Sequence, residues 1–302
     1  MNKRTQGTLE MGGAMAISGT IGWFVVQSGL AALDVVFWRC AFGAATLALV
    51  CAAMGILRGV LSWRQAGWAA LGGVAIVTNW LLLFGAYSHA SISIATAVYN
   101  TQPFMLVAFG ALLFGERITL PKLGWLALAF GGMLLIVQAR PGASYAGSNY
   151  ALGIAMALGA AFFWAVASVI AKRLTGTPPH LIALVQVCVG VLMLAPFANF
   201  GALPQDSRTW VLLVTVGVVH TGLMYILLYG AVQKLPTYLQ GALSFIYPVV
   251  AIGVDYVAFG HRLQPVQWLG AAAILLAAAA MNLQGSRLRP SAAEPAVQGG
   301  RS

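Results

Sequence analysis

The sequence predicts an all-α membrane protein in which ten transmembrane helices form two inverted repeats of five, with both termini in the cytoplasm. Three observations lead to this fold class. The 302 residues are 60% hydrophobic and 7% charged, and the mean hydropathy of +0.87 lies far outside the average for soluble domains. Ten apolar segments are long enough to cross a bilayer, and landmarks of the first half recur in the second.

The ten apolar segments follow one another along the whole chain. Each is close to the roughly 20 residues that a helix needs to cross the hydrocarbon core. The first follows the basic stretch Asn2-Lys3-Arg4 and has no clear small-residue cleavage site, so we expect it to be retained. The predicted spans are 11–30, 35–57, 66–87, 91–114, 119–138, 151–171, 180–200, 209–233, 237–259 and 264–284.

The second half repeats the first at an offset of 145 residues. Pro103 then falls on Pro248, and the loop Phe114-Gly115-Glu116-Arg117 falls on Phe259-Gly260-His261-Arg262 without a gap. Five spans is an odd number, so the second copy enters the membrane with opposite polarity. Inverted repeats are typical of secondary transporters, whose substrate site lies between the repeats near the bilayer midplane.

This repeat predicts the domain boundaries. Residues 1–138 form the first five-helix repeat and residues 151–285 the second. The linker at 139–150 is rich in Gly and Ser and is expected on the external side. The tail at 286–302 turns to Arg, Pro, Ser and Gly, so we expect it to be cytoplasmic and disordered.

The net charge of +10 orients the protein and does not indicate a nucleic-acid partner. With the N-terminus in the cytoplasm, twelve Lys and Arg residues are internal and only Arg140, Arg208 and Arg262 are external. This is a strong positive-inside pattern, and it also places the C-terminus inside.

The sequence contains no motif for enzymatic chemistry. There is no Gly-rich phosphate loop, no metal-ligand cluster and no nucleophile with a base, so no catalytic residue, metal or cofactor is expected. Cys40, Cys51 and Cys188 show no paired spacing that would indicate a redox site. An Asp or Glu in mid-membrane is also missing, so downhill facilitation and weak coupling through a histidine both stay open.

The fourth and ninth spans carry equivalent prolines and polar residues. Pro103 and Pro248 predict symmetric helix kinks, which either line a cavity or are merely tolerated. Near Pro103, a polar stripe at bilayer depth predicts a wall that faces protein or water, opposite an equivalent wall that includes Ser244. The alternative is that Tyr99 and Asn100 make only interhelical hydrogen bonds. The stripe consists of Thr96, Tyr99 and Asn100.

Four aromatic residues lie at mid-span positions and form a candidate substrate site. By the same offset Trp80, which follows Asn79, falls on Tyr225. Trp23 and Trp164 lie in the first and sixth spans. Such rings stack on planar ligands or attract ammonium groups, although rings at helical spacing also serve simple packing.

Three ionisable residues within spans are further candidates. His220 is either a site of proton coupling or a neutral, hydrogen-bonded histidine. Arg39 and Asp255 are each predicted about one turn inside the external end, where they form a candidate gate, or Arg39 holds a substrate carboxylate. The alternatives are local pairs of Arg39 with Asp34 and of Asp255 with Arg262. Glu116 precedes the fifth span, whose N-terminus it is expected to complement.

A set of landmarks lies along the chain: Trp23, Trp164, Trp38-Arg39, Pro103, Pro248 and the Phe-Gly-x-Arg loops. With these residues the chain resembles the EamA-type branch of the drug/metabolite transporter superfamily over nearly its whole length. The second copy departs from the family by carrying His261 where Glu is usual. The resemblance implies a transporter of ten spans, and the YddG-type exporters of aromatic and other amino acids are the closest functional analogy.

These observations predict a multi-pass exporter of the bacterial inner membrane. The expected substrates are small amphipathic metabolites, above all amino acids with aromatic or apolar side chains, carried by alternating access through a central cavity. Besides the substrate and the lipid bilayer no partner is expected, and the protein is a monomer or a weak homodimer. The alternatives are an exporter of cationic drugs or other metabolites, and a membrane subunit without transport activity.

Overall fold

The computed structural model describes residues 2–57, 61–90, 92–138, 149–201, 203–259 and 264–287. Within these residues the chain is helical and contains no strand. The helices are α1 (Lys3–Ser28), α2 (Ala32–Ala53), α3 (Trp63–His89), α4 (Ile92–Tyr99), α5 (Gln102–Phe114), α6 (Leu120–Gln138), α7 (Tyr150–Arg173), α8 (Pro179–Leu194), α9 (Ser207–Gly217), α10 (Met224–Lys234), α11 (Thr237–Ser244), α12 (Ile246–Phe259) and α13 (Pro265–Arg287). A 3-10 turn at Ala195–Phe197 extends α8, and a π-helical segment at Val218–Leu223 joins α9 to α10.

Seven helices in the described part of the chain are long and apolar enough to cross a membrane. They are α2, α3, α6, α7, α8 with its 3-10 turn, the continuous run from α9 to α10, and α13. The other predicted spans correspond to α1 and to two broken helices, α4–α5 and α11–α12. The prediction of an all-helical membrane protein is confirmed. The predicted count of ten crossings is larger than these seven helices and stays a prediction.

Both broken helices are interrupted where a hydroxyl bonds back to the preceding turn. Thr101 and Ser244 each donate to the carbonyl oxygen three residues earlier, at 2.7 Å. Such bonds compete with continuation of the helix. Pro103 is then the second residue of α5 and Pro248 the third residue of α12. The N–H groups of a first helical turn have no acceptor within the helix, so a proline fits there without losing a hydrogen bond. Each proline therefore lies just after a break and not inside a continuous helix.

The two halves pack through equivalent helices. Helix α1 of the first half lies against α10 and α12 of the second half, and its counterpart α7 of the second half lies against α3 and α5 of the first half. The helices α2 and α8 form another such pair, as do α6 and α13. The last pair is in backbone contact, since a Cβ on Gly132 would lie 2.6 Å from the carbonyl oxygen of Gly270. The pattern of contacts therefore stays the same when the two halves are exchanged.

Large apolar side chains cover the outside of this bundle, where Leu112, Leu192 and Val257 are exposed. A water-facing surface of this kind would be unfavourable, whereas lipid tails solvate it well. The main core cluster draws on helices of both halves and includes buried polar and aromatic residues. This interior between the halves positions the candidate site.

Candidate functional site

Arg39 is a buried cation in the interior between the halves. The residue is 3% exposed. Its Nε donates to Oγ1 of Thr221 at 3.2 Å, and its Nη2 donates to the carbonyl oxygen of His220 at 3.4 Å. The guanidinium carbon lies 4.0 Å from the centre of the Trp80 ring. Because α2 begins at Ala32, Arg39 lies about 10 Å along the helix, which is deeper than the single turn predicted from the sequence.

The π-helical segment supplies both acceptors of Arg39. Within it, Oγ1 of Thr221 donates to the carbonyl oxygen of Val216, five residues earlier, at 3.1 Å. Helix α2 lies close to this segment because Gly43 has no side chain. A Cβ at that position would lie 2.6 Å from Cγ2 of Thr221. Single π turns of this kind often occur at functional sites.

A row of three buried aromatic rings extends from Arg39. Trp80 and Tyr225 meet edge to face with ring centres 6.0 Å apart, and the Tyr229 ring lies 5.2 Å from that of Tyr225. We call Trp80, Tyr225 and Tyr229 the aromatic row. The hydroxyl of Tyr229 donates to Oε1 of Gln186, whose Nε2 has no hydrogen-bond partner among the described residues. The offset of the repeat predicted that Trp80 and Tyr225 are equivalent, and the structure brings them into contact.

His220 is joined to the first helix by a hydrogen bond. Its Nε2 lies 2.7 Å from Oγ1 of Thr20. The hydroxyl of Thr20 donates to the carbonyl oxygen of Ile17 at 2.8 Å, so it accepts from a protonated Nε2, as the neutral Nε2–H tautomer provides. The centre of the Phe24 ring lies 4.7 Å from the centre of the His220 ring and 4.9 Å from that of the Trp23 ring. Two of the predicted site residues are thus linked through Phe24, which no pattern in the sequence singles out.

The predicted walls of the fourth and ninth spans touch each other. Nδ2 of Asn100 donates to the Tyr247 hydroxyl at 3.0 Å and to the carbonyl oxygen of Thr96 at 2.7 Å. Pro103 packs against Gly241, where a Cβ would lie 3.1 Å from the proline ring. Ser244, one turn further on, donates only within its own helix. In this conformation the two walls are in direct contact with each other.

The remaining predicted residues lie around this centre. Trp164 and Tyr99 belong to the same core cluster as Trp80, and Tyr99 is close enough to Arg39 to interact with its charge. Nδ2 of Asn79 donates to the carbonyl oxygen of Ala160 at 2.8 Å, which ties α3 to α7. The side chain of Asp255 lies outside the described residues, so its pairing with Arg39 stays a prediction. The described side chains include no cluster of three or more groups that could hold a metal ion.

Two ion pairs connect the halves at the end of the bundle where α10 finishes. Lys234 contacts the carboxylate of Glu10 at 2.6 and 2.7 Å, and Lys172 contacts Glu116 at 2.5 Å. Glu116 also accepts the backbone N–H of Thr237, at 2.9 Å, and its hydroxyl, at 2.7 Å. We call Glu10, Glu116, Lys172, Lys234 and Thr237 the latch. The two ion pairs and the bonds from Thr237 to Glu116 each join the first half to the second.

The family model described as "EamA-like transporter family" matches residues 11–138 and 151–283 of the chain. The two matched stretches correspond to the two halves of the structure. A solved crystal structure of 22% sequence identity has a TM-score of 0.81, covering 95% of this chain and 100% of that chain. That structure therefore shares the fold.

Curated relatives from bacteria also match. The uncharacterized transporter YxxF of Bacillus subtilis is 28% identical over 271 residues, which cover 89% of this chain and 86% of that protein. A protein of Salmonella typhimurium named "Probable amino-acid metabolite efflux pump" is 28% identical over 213 residues, 66% of this chain and 70% of its own. The aromatic amino acid exporter YddG of Ancylobacter novellus is 25% identical over 172 residues, 56% of this chain and 59% of its own.

Proposed function

The chain belongs to the EamA-like transporter family, and from this premise we propose that it exports small amphipathic metabolites, above all amino acids with aromatic or apolar side chains. It is a membrane transporter and not an enzyme. Relatives named as an amino-acid metabolite efflux pump and as an aromatic amino acid exporter support this substrate class. Their bacterial origin supports the inner membrane of a bacterium as the location.

The observation that carries this proposal is the contact of Arg39 with the aromatic row. A guanidinium lies over the Trp80 ring, and Tyr225 meets that ring from the other half. Both halves therefore contribute to one buried group of polar and aromatic side chains. Such a group suits a ligand with one charged end and one apolar end. Its location between the repeats is where secondary transporters bind their substrates.

We further propose that all ten predicted segments cross the membrane, with the second repeat inverted and both termini in the cytoplasm. The exchange symmetry of the helix contacts supports equivalence of the two halves. The internal excess of Lys and Arg supports the orientation. In this topology Lys172 and Lys234 are cytoplasmic, so the latch closes the cytoplasmic side of the site.

Transport then proceeds by alternating access. The latch separates to admit substrate from the cytoplasm, and it forms again before release on the outside. The interruptions ahead of Pro103 and Pro248 are the proposed hinges, since a broken helix bends at lower cost than a continuous one. An external gate formed by Arg39 with Asp255 is the alternative role for Arg39. The proposed unit of function is a monomer, or a weak homodimer.

Counterflow in proteoliposomes tests the function. Liposomes containing the folded protein are loaded with an unlabelled amino acid and then receive the same labelled compound, with and without a pH gradient. We expect saturable exchange of aromatic and apolar amino acids above protein-free liposomes. The response to the gradient separates coupled transport from facilitation. Exchange of cationic drugs alone, or of nothing in the panel, would contradict the proposed substrates.

A further inference from the structure

None of the carboxylates with described side chains compensates the charge of Arg39. The sequence contains six Asp and Glu residues. Those with described side chains all bind groups other than Arg39. Glu10 binds Lys234, and Glu116 binds Lys172 and Thr237. Asp34 accepts the N–H of Asn199, and Asp206 accepts the N–H of Thr209. The side chains of Asp255 and Glu294 lie outside the described residues. No described carboxylate therefore neutralises Arg39.

Neutral groups alone solvate this cation in the described part of the protein. Thr221 and the His220 carbonyl accept two of its five N–H groups, and Trp80 covers one face. A buried charge without an opposite charge is costly, and a guanidinium edge matches the two oxygens of a carboxylate. An anion at this guanidinium edge would compensate the charge.

The surroundings of Arg39 also fit the rest of an amphipathic acid. The aromatic row continues from Trp80 through Tyr225 to Tyr229 over centre-to-centre steps of 6.0 and 5.2 Å. At its far end Gln186 is 1% exposed, and its Nε2 is a buried donor without a described partner. An apolar group and a distant acceptor on the same ligand would satisfy both features.

We propose that Arg39 binds the carboxylate of the transported substrate, and that the aromatic row receives its apolar side chain. This inference rests on the proposed export function and names its substrate class: small amphipathic carboxylates, including amino acids and organic acids without an amino group. The same positive charge repels cationic drugs. Arg39 is thus assigned a role in specificity that differs from that of a gate.

Four related compounds test the carboxylate directly. L-Phenylalanine, 3-phenylpropionate, L-phenylalaninamide and 2-phenylethylamine share a benzyl group, but only the first two carry a carboxylate. Binding is measured on the purified full chain as the shift of its thermal unfolding with ligand concentration. We expect the two acids to bind about 10- to 100-fold more tightly than the amide and the amine, because a charge-assisted bidentate contact is lost.

Variants assign this preference to Arg39. Arg39→Gln should abolish the difference between acids and amide, and Arg39→Lys should retain only part of it, because it keeps the charge but not the planar edge. Arg208→Gln is the control, since Arg208 contacts Gln27 at an exposed position. Size-exclusion profiles show whether each variant is folded.

The inference is overturned if the amide binds as tightly as the acids, if no acid binds, or if Arg39→Gln keeps the preference. Its failure can be told apart from failure of the export function. Flux of phenylalaninamide equal to that of phenylalanine overturns carboxylate recognition alone. Arg39-dependent binding of acids without any flux overturns export alone.

Discussion

The carboxylate of Glu116 caps a helix of the opposite half by accepting the backbone N–H of Thr237, the first residue of α11, at 2.9 Å. The sequence predicts that Glu116 complements the span that comes after it, but the hydrogen bonds go to α11 instead. The same carboxylate contacts Lys172, which also donates to the carbonyl oxygen of Leu235 at 3.1 Å. One side chain thereby satisfies a helix N-terminus and an ammonium group, and both lie across the boundary between the halves.

Loss of Glu116 should open the proposed cytoplasmic side. In Glu116→Ala the N–H of Thr237 and the ammonium of Lys172 lose their partner, so we expect the free energy of unfolding to fall by about 1–3 kcal/mol. We also expect a cysteine placed at the buried Ser244 to react several-fold faster with a water-soluble thiol reagent. The measurement uses a background in which the three native cysteines are replaced by alanine.

Asp206→Ala is the matched control for Glu116→Ala. Asp206 caps α9 of its own half by accepting the N–H of Thr209 at 2.7 Å, a hydrogen bond that lowers the pKa of this exposed carboxyl. This variant also loses a helix cap, but it breaks no contact between the halves. Equal labelling of Ser244→Cys in both variants would show that Glu116 does not hold the two halves closed.

The equivalence of Trp80 and Tyr225 could be predicted from the sequence because the two residues occupy the same position in the repeat. The offset identifies equivalent positions, whereas only the structure shows which of them lie close enough to the pseudo-twofold axis to meet. The predicted spans likewise match the helices, because a long apolar segment has few alternatives to a helix in lipid. Repeat symmetry and hydropathy therefore predicted the all-helical class and the equivalence of Trp80 and Tyr225, and the structure adds that the two rings meet.

The π-helical segment and the depth of Arg39 could not be predicted from repeat symmetry or hydropathy. An extra residue in one turn shifts the register of a helix, but a span that is apolar on every face shows no change in periodicity. The start of α2 was predicted three residues too late, at 35 instead of Ala32, and this made Arg39 seem shallow. The partner of Glu116 depends on tertiary packing between distant parts of the chain.

The close approach of α2 to the π-helical segment predicts that Gly43 is sensitive to substitution. In Gly43→Ala the new Cβ would lie 2.6 Å from Cγ2 of Thr221, a β-branched side chain with little freedom to move. We expect a loss of about 1–3 kcal/mol in the free energy of unfolding, together with weaker substrate binding, since Thr221 holds Arg39. Thermal unfolding and ligand titration measure the two effects.

Gly12→Ala controls for the removal of a helical glycine. A Cβ at Gly12 meets no atom within 4 Å, so this variant should be neutral or gain up to about 1 kcal/mol from helix propensity. If Gly43→Ala were as stable as Gly12→Ala and bound ligand equally well, the packing of α2 on the π-helical segment would not position Arg39.

Trp80 is expected to be required for flux because its ring contacts the guanidinium of Arg39. Trp80→Leu keeps an apolar side chain but removes the π face, a contact worth about 2 kcal/mol when desolvated. We expect counterflow to fall by at least about tenfold at equal membrane abundance. Trp268→Leu serves as the control, since Trp268 is 64% exposed on the outside of the bundle. Similar flux in both variants would show that Trp80 is not needed for substrate binding.

The stability of Arg39→Met without ligand distinguishes a substrate anchor from a structural ion pair. If Arg39 were paired with a buried carboxylate such as Asp255, its loss would leave that carboxylate unpaired and cost about 3–5 kcal/mol. An anchor that only the substrate neutralises behaves differently, because its removal eliminates an uncompensated buried charge. We therefore expect thermal unfolding of Arg39→Met at the same or a higher temperature than the unmodified protein, with loss of stabilisation by phenylalanine. A strongly lowered unfolding temperature that Asp255→Asn restores would assign Arg39 to the gate instead.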